Sequence, residues 1–290
     1  MGPRRTILIT GCSSPQGIGF ASARALARAG HSVHATVRDH AHDDELLEGI
    51  DGSLTIHTLD LLDRESMQRT LAELLASDRV LDVLINNAGY GLIGGIEQVD
   101  LDSARANFET NFFGTMALIQ EVAPIMRRQR SGHIVNVSTI FAAGLCVPAI
   151  GYYCASKAAL ETACHALAIE LAPWSVRVTN YQPGPVTTEL EREFGKRFGE
   201  GEDPRPTLND ELYAWVLGAQ APTPQSPGEV ADDLGSLIAS DSAGLAEQSG
   251  PAARGYVAAA LRDPTRGAEL DALLAAFAQT KPEATASGAA

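Results

Sequence analysis

The sequence has few cysteines, few aromatic residues and fewer basic than acidic residues. Its four cysteines form no CxxC pair and no metal-ligand cluster with histidine, which predicts reduced thiols and no structural metal. The formal net charge of −14 argues against a nucleic-acid or anionic-membrane partner, because either would require a basic face. No uninterrupted apolar run reaches about 18 residues, so no transmembrane helix is expected.

The amino terminus has no recognisable secretory signal. The run MGPRRTILITG has two arginines followed by only a few apolar residues, and we interpret it as the first strand of a cytoplasmic protein. A chain of 290 residues can bury a substantial core. We predict one domain over residues 1–280 and a disordered tail over residues 281–290, because the tail offers no apolar side chains able to dock.

Short apolar runs alternate with amphipathic stretches over the first 180 residues. The strand-like runs are TILITG, SVHATV, LTIHTLD, LDVLINNAG, HIVNVS and SVRVTNYQPG. The stretches with helical period are GFASARALARAG, RESMQRTLAELLAS, NFETNFFGTMALIQEVAPIMRRQ and YYCASKAALETACHALAIELAP. This order predicts an α/β fold, a Rossmann-type doubly wound parallel sheet with three α/β/α layers. Ligands of such sheets bind at the carboxyl ends of the strands.

The pattern changes after Pro183. Residues 189–228 carry many charges, five glycines and several prolines, with only short apolar groups. We predict that this segment is an excursion over the active site. Helices are predicted over residues 229–239 and 268–278.

Tyr153 and Lys157 lie four residues apart in an alanine-rich stretch with helical period, so both side chains share one helix face. A phenol has an ordinary pKa of about 10 and is a poor acid at neutral pH. An ammonium group beside it favours the phenolate and makes proton exchange with an alcohol or ketone possible. The spacing alone also fits a half-buried tyrosine beside a solvated lysine, so its meaning depends on the rest of the chain.

A glycine-rich turn, TGCSSPQGIG over residues 10–19, follows the first strand. Glycines let the backbone turn tightly and approach a pyrophosphate, and the following helix offers its free N–H groups to the phosphates. We therefore predict phosphate binding here, although tight strand-to-helix turns also need glycine for packing.

Six motifs occur in the order typical of one family: this turn, the NNAG run over residues 86–89, Asn111, the Ser138–Thr139 pair, Tyr153 with Lys157, and the Pro183–Gly184 pair. The chain resembles the short-chain dehydrogenases/reductases, and within them the branch of 17β-hydroxysteroid and retinol dehydrogenases. The resemblance is firm over residues 5–190. It implies an oxidoreductase that moves hydride between a nicotinamide cofactor and a ketone or secondary alcohol.

The resemblance also implies roles for single residues. Tyr153 would be the general acid/base, Lys157 would lower its pKa and bind the nicotinamide ribose, and Asn111 would hold a water in a proton relay. Asn111 could instead be a polar kink in a helix, and Asp60 could be a turn former at a strand end. The residues that the resemblance places on the cofactor are Gly11, Ser13, Ser14, Gly17, Ile18, Gly19, Arg38, Asp60, Leu61, Asn86, Asn87, Ala88, Gly89, Tyr153, Lys157, Pro183, Gly184, Val186 and Thr188.

Two departures from the family pattern affect this site. Pro15 and Gln16 resemble a two-residue insertion in the turn, which leaves the pyrophosphate contacts of Ser13 and Ser14 open. The hydroxyl that would polarise the substrate carbonyl is open as well. Strand register favours Thr139 and residue type favours Ser138, and adjacent strand residues face opposite ways.

The end of the second strand, Val37-Arg38-Asp39, bears on the choice of cofactor. An acidic residue at this place binds the 2′-hydroxyl of NAD, whereas arginine accommodates the 2′-phosphate of NADP. Because Arg38 comes first, NADP is favoured over NAD, and Ser13 can assist. Asp39 directly after it keeps NAD as the alternative.

The segments around Tyr153 predict an apolar site for a steroid-, retinoid- or polyketide-like substrate, although ordinary packing explains each residue equally well. The candidate lining residues are Leu145, Val147, Pro148, Ile150, Leu190, Phe194, Phe198, Tyr213 and Trp215. The alternative functions are a non-catalytic NADP-binding sensor or accessory protein, and an epimerase or dehydratase acting on a nucleotide sugar. The family resemblance further implies a homodimer or homotetramer, with residues 152–172 as a pairing face.

Overall fold

The computed structural model describes residues 3–143, 150–188, 224–240 and 244–262. Its strands are β1 (Thr6–Ile9), β2 (Ser32–Val37), β3 (Leu54–Thr58), β4 (Val83–Asn86), β5 (Gly132–Val137), β6 (Val176–Gln182) and β7 (Ala246–Gln248). Within the described ranges they form one sheet in the order β3-β2-β1-β4-β5-β6-β7. Every neighbouring pair is parallel.

Helices connect these strands and cover the sheet. They are α1 (Ile18–Arg28), α2 (Asp43–Leu47), α3 (Arg64–Asp78), α4 (Leu101–Phe108), α5 (Thr115–Gln129), α6 (Gly151–Leu171), α7 (Pro227–Ala239) and α8 (Gly250–Arg262). A π-helical turn, Glu109–Gly114, joins α4 to α5. No helix in the described part of the chain is long and apolar enough to cross a membrane.

Both faces of the sheet are covered, which explains why its central strands are continuous apolar runs. In β1, Ile7 and Ile9 pack into the layer that contains α1 and α7. Leu8 points to the other face and packs into the layer that contains α3, α5 and α6. All three side chains are fully buried. The predicted doubly wound α/β/α architecture is therefore confirmed, while the domain limits stay a prediction.

Several elements differ from the sequence prediction. The helix predicted over residues 107–129 begins earlier, at Leu101, because the Asp100 side chain accepts a hydrogen bond from Ser103 N at 2.7 Å and caps α4. Strand β7 and helix α8 were not predicted. The predicted helix over 268–278, the tail over 281–290 and nearly all of the excursion, residues 189–223, lie outside the described residues.

The order of the strands defines where a ligand can bind. Strand β1 pairs with β2 on one side and with β4 on the other, so the winding of the chain reverses at β1. The connections on the two sides cross opposite faces of the sheet, which opens a crevice at the carboxyl ends of β1 and β4. Several of the predicted site residues, among them Arg38, Asp60 and Asn87, closely follow a strand, and the strand ends bring them to one edge.

Candidate active site

The glycine-rich turn leaves β1 and enters α1 at the crevice. Gly11 has a φ of +77°, and a Cβ atom there would lie 2.8 Å from Ala88 Cα. The Asn87 side chain holds the turn from β4, because its Nδ2 donates to the main-chain oxygen of Thr10 at 2.9 Å. Helix α1 begins after Gly17, which has no side chain to cap the free N–H groups. Those groups are therefore available to an anion.

The two extra residues of the turn are accommodated without displacing the serines. Gly17 N donates to Ser14 O at 2.9 Å, which closes a turn around Pro15 and Gln16. Ser13 and Ser14 both line the adjoining cavity.

A cavity of about 400 Å³ extends along the strand ends from this turn to Tyr153. Of the residues expected on the cofactor, all but two line it. Gly19 does not, because it packs against Gly11 O and the Asn87 amide, where no Cβ would fit. Asn86 does not either. Its side chain is buried in the sheet and donates to Asn136 Oδ1 at 2.9 Å, so its expected place beside the adenosine was wrong.

Arg38 and Asp39 at the end of β2 occupy different positions. Arg38 lines the cavity and is exposed, and its main-chain N–H donates to Ser13 Oγ at 3.1 Å. Asp39 is absent from the cavity wall, and its carboxylate accepts a hydrogen bond from Ala41 N at 3.2 Å. Arg38 is thus part of the cavity wall, whereas the Asp39 carboxylate takes part in a local turn.

Asp60 after β3 is a turn former. Its Oδ1 accepts a hydrogen bond from Leu62 N at 2.9 Å. Asp60 also lines the cavity, as do Leu59 and Leu61. A contact of its carboxylate with adenine stays a prediction.

Tyr153 and Lys157 lie in the first turns of α6 and both line the cavity. Burial raises the pKa of the Tyr153 phenol, as does the neighbouring Cys154, whereas a hydrogen bond with Thr139 opposes the rise. Lys157 is 5% exposed, and its Nζ donates to Val137 O at 2.8 Å. Burial lowers the pKa of Lys157 to about 8, against the opposing effect of the Glu161 carboxylate. The ammonium group is therefore hydrogen-bonded to a main-chain carbonyl. That Lys157 lowers the pKa of Tyr153 stays a prediction.

Ser138 and Thr139 are both buried and both line the cavity, but their hydroxyls have different neighbours. The Thr139 hydroxyl is hydrogen-bonded to the Tyr153 phenol. The Ser138 Oγ makes no regular hydrogen bond within the described chain, although it lies close enough to Glu161 to lower the pKa of that carboxyl. Thr139 is thus the hydroxyl next to the Tyr153 phenol, and its role towards a substrate stays a prediction.

Asn111 lies in the π-helical turn and is fully buried. It does not line the cavity, although the preceding residue, Thr110, does. Its Nδ2 donates to Tyr90 O at 2.9 Å and to Ser156 Oγ at 3.1 Å, and its Oδ1 accepts from Tyr90 N at 3.0 Å. A Cβ atom on Gly89 would lie 2.9 Å from Asn111 Oδ1 and 3.4 Å from Lys157 Nζ. The close approach of these two side chains to the backbone after β4 therefore requires glycine.

Sequence reasoning missed several residues of the cavity wall. They are Thr36, Val37, Leu59, Leu62, Tyr90, Ile93, Thr110, Val137, Phe141 and Pro185. Most of them adjoin a predicted site residue in the chain, and that adjacency was the available signal. Ile93 and Phe141 adjoin no predicted site residue, so this signal could not find them.

The apolar side of the cavity is formed in part by Ile93, Phe141 and Ile150. Phe141 also contacts Tyr256 of α8 edge to face, with ring centroids 5.9 Å apart. Of the predicted substrate residues, only Ile150 falls within the described ranges. Those outside them are Leu145, Val147, Pro148, Leu190, Phe194, Phe198, Tyr213 and Trp215.

The chain matches the family described as short chain dehydrogenase over residues 5–197. It therefore belongs to the short-chain dehydrogenase family. The match covers β1 to β6 together with Asn111, Ser138, Thr139, Tyr153 and Lys157.

Two curated relatives belong to the predicted branch. The chain is 38% identical to retinol dehydrogenase 8 of Bos taurus, over 69% of this chain and 65% of the relative. It is 37% identical to estradiol 17-beta-dehydrogenase 1 of Rattus norvegicus, over 63% of this chain and 54% of the relative. The match thus spans less than two thirds of the length of either relative.

Solved structures agree over a longer stretch. A short-chain dehydrogenase from Streptomyces avermitilis has a TM-score of 0.77 and 28% identity, covering 96% of this chain and 98% of that one. A short chain dehydrogenase from Burkholderia cenocepacia in complex with NADP has a TM-score of 0.71 and 25% identity, covering 93% and 98%. A 3-ketoacyl-(acyl-carrier-protein) reductase from Brucella melitensis, complexed with NADH, has a TM-score of 0.69 and 25% identity, covering 84% and 96%.

Proposed function

We propose that the protein is an NADP-dependent oxidoreductase that acts on a ketone or secondary alcohol carried by a hydrophobic molecule. The observation that carries this proposal is that one cavity is lined both by the glycine-rich turn over residues 10–19 and by Thr139, Tyr153 and Lys157. Such a cavity suits a long cofactor whose reactive end meets a proton donor.

The residues present fit a nicotinamide dinucleotide. Gly11 leaves no room for a side chain, so the backbone can approach a pyrophosphate beside the free N–H groups of α1. Arg38 would hold the 2′-phosphate, Asp60 and Leu61 the adenine, and Val186 and Thr188 the nicotinamide end. When bound, the cofactor supplies or accepts the hydride at the substrate carbon.

Each group of the acid–base cluster has a distinct task in reduction. The Tyr153 hydroxyl donates its proton to the substrate oxygen as that oxygen gains negative charge. The Thr139 hydroxyl, bonded to Tyr153, donates a hydrogen bond to the same oxygen. Lys157, with a pKa of about 8, can return a proton to Tyr153 near neutral pH. Asn111 holds the backbone next to Lys157 through its bonds to Tyr90.

An apolar substrate is supported by Ile93, Phe141 and Ile150, which line the end of the cavity near Tyr153. The names of the two curated relatives, a retinol and an estradiol dehydrogenase, support the same substrate class. Cytoplasmic location, one domain over residues 1–280, and pairing through residues 152–172 stay predictions.

Replacement of Tyr153 by phenylalanine tests the proposed mechanism. The variant should bind NADPH as the wild type does, measured by cofactor fluorescence. It should lose turnover by about a hundredfold or more, because the proton donor is gone. Turnover is measured from NADPH absorbance on a panel of apolar ketones, with NADH in parallel.

Tyr152→Phe is the matched control, because it removes a hydroxyl from the adjacent residue, which does not line the cavity. Activity of Tyr153→Phe equal to that of the control would refute the assigned mechanism. Tight NADPH binding by the wild type with no turnover on any carbonyl would instead favour a non-catalytic NADP-binding protein.

A further inference from the structure

Glu161 is a buried carboxyl group that the proposed mechanism does not use. It lies one turn after Lys157 in α6, so both side chains are on the same face of the helix. Glu161 is 6% exposed and Lys157 is 5% exposed. A buried carboxyl group is costly unless it is hydrogen-bonded or near an opposite charge, so its neighbours identify its role.

The hydrogen bonds of Glu161 are those of an ionised carboxylate. Gln182 Nε2 donates to both of its oxygens, at 2.9 and 2.8 Å. The orientation of the Gln182 amide is fixed in turn, because its Oε1 accepts a hydrogen bond from Gln248 Nε2 at 2.7 Å. Strands β6 and β7 therefore present a donor to the carboxylate and would oppose a proton on it.

Three groups besides Gln182 act on Glu161 from the elements around it. Burial raises the pKa of the Glu161 carboxyl, and Ser138 after β5, together with His165 and Lys157 on α6, one turn to either side, opposes the rise. Glu161 in turn raises the pKa of the Cys164 thiol. Of these neighbours Lys157 is the buried cation, whereas His165 is exposed. No ion pair within 4.0 Å joins Glu161 to a cation in the described part of the chain, so the interaction with Lys157 acts through space.

We propose that Glu161 is a positioning residue, whose fixed carboxylate keeps the Lys157 ammonium charged beside Tyr153. The inference rests on the proposed function, because it assigns Lys157 to the proton supply. Burial alone would favour the neutral amine, and Glu161 is the group whose charge opposes that effect.

The protonation of Lys157 can be measured directly, because the sequence has only three lysines, Lys157, Lys196 and Lys281. Protein labelled with ¹³C at lysine Cε is titrated by NMR without cofactor or substrate, and the three signals are assigned with K196R and K281R. The Lys157 midpoint should fall by about half a pH unit or more in Glu161→Gln. Glu161→Asp, which keeps the charge, should restore it most of the way.

Glu170→Gln is the matched control, because it removes the same charge from an exposed position on the same helix. The proposal is overturned if the Lys157 midpoint is the same in Glu161→Gln as in the wild type, or falls equally in Glu170→Gln. If Glu161→Gln does not fold, a measurement on the wild-type protein still tests the proposal. A ¹³C signal of the Glu161 carboxyl showing it protonated where Lys157 titrates would also overturn the proposal.

Kinetics then link the titration to the reaction. The limb of the kcat–pH profile that follows Lys157 should move to lower pH in Glu161→Gln, with the KM for NADPH unchanged. A purely structural role would alter both at every pH. Because the NMR arm needs no turnover, failure of the proposed reaction would leave its result intact, and the two failures are distinguishable.

Discussion

Gly89 sets the distance between the backbone after β4 and the buried side chains of Asn111 and Lys157. In Gly89→Ala, the added methyl would lie 2.9 Å from Asn111 Oδ1, so that side chain must move, and it would contact Lys157 Nζ at 3.4 Å. We expect kcat to fall by about tenfold or more, since small displacements of reacting groups are costly. Steady-state kinetics with NADPH measure the effect.

Gly235→Ala is the control for this substitution. Its Cβ would contact only Leu26 Cδ2, at 3.9 Å, on a helix far from the strand ends. Activity should be unchanged, and stability should rise slightly because alanine favours a helix over glycine. A kcat of Gly89→Ala equal to that of the wild type would show that the reaction tolerates a displacement of Asn111.

Arg38 is the residue that should distinguish the two nicotinamide cofactors. Arg38 lines the cavity, whereas the Asp39 carboxylate accepts a hydrogen bond from Ala41 N. Arg38→Ala should raise the KM for NADPH by roughly tenfold or more, because a charged hydrogen bond to the 2′-phosphate is lost, and leave that for NADH unchanged. Asp39→Ala should not weaken NADPH binding. An unchanged KM for NADPH in Arg38→Ala would contradict the preference for NADP.

At the scale of elements, α7 begins with a reciprocal cap. Ser226 Oγ accepts a hydrogen bond from Glu229 N at 3.2 Å, and Glu229 Oε2 accepts one from Ser226 N at 2.7 Å. Ser226→Ala should lower the free energy of unfolding by about 1 kcal/mol, measured by urea denaturation. Ser236→Ala, at an exposed position inside the same helix, should cost nothing. Equal losses in both variants would show that the cap is not the cause.

Elements were predictable where local pattern decides them. The first six strands follow from apolar runs, and the start of α7 follows from S-P-G-E, a recognisable capping box. The π-helical turn was not predictable, because it accompanies the burial of Asn111 against Tyr90 and Ser156, which are distant in sequence. Strand β7 has three residues, too few for an alternating pattern.

The residues of the cavity wall also differ in whether the sequence could predict them. Residues directly after strands, such as Arg38 and Thr139, were predictable because parallel strands end at one edge. Ile93 and Phe141 reach the cavity through loop conformations that no local pattern specifies. The contact between Thr139 and Tyr153 likewise depends on the position of the Tyr153 phenol, which α6 brings from elsewhere in the chain.

At the scale of the whole molecule, acid should weaken the fold through His133. Its ring is 1% exposed, and Arg177 Nη2 donates to its Nδ1 at 3.3 Å. Burial lowers the pKa of His133 from 6.5 to about 3. The folded state therefore holds the neutral ring. The stability that depends on it is fully present above the unfolded pKa and is lost as the pH falls from 6.5 towards 3.

The expected loss from this residue between pH 7 and pH 5 is about 2 kcal/mol. Urea denaturation at the two pH values measures it, and His133→Gln should show a smaller difference between them than the wild type. His165→Gln, at an exposed position, should keep the wild-type difference. Identical pH dependence in all three proteins would exclude His133 as the cause.

The turn over residues 10–19 is synthesised before Asn87 and Ala88, yet its shape depends on both of them. Asn87 holds its main-chain oxygens, and Ala88 covers Gly11. A nascent chain that ends before β4 can contain β1 and α1 but not the finished phosphate site. The ability to bind cofactor therefore reports, during translation, that β4 has emerged from the ribosome and docked beside β1.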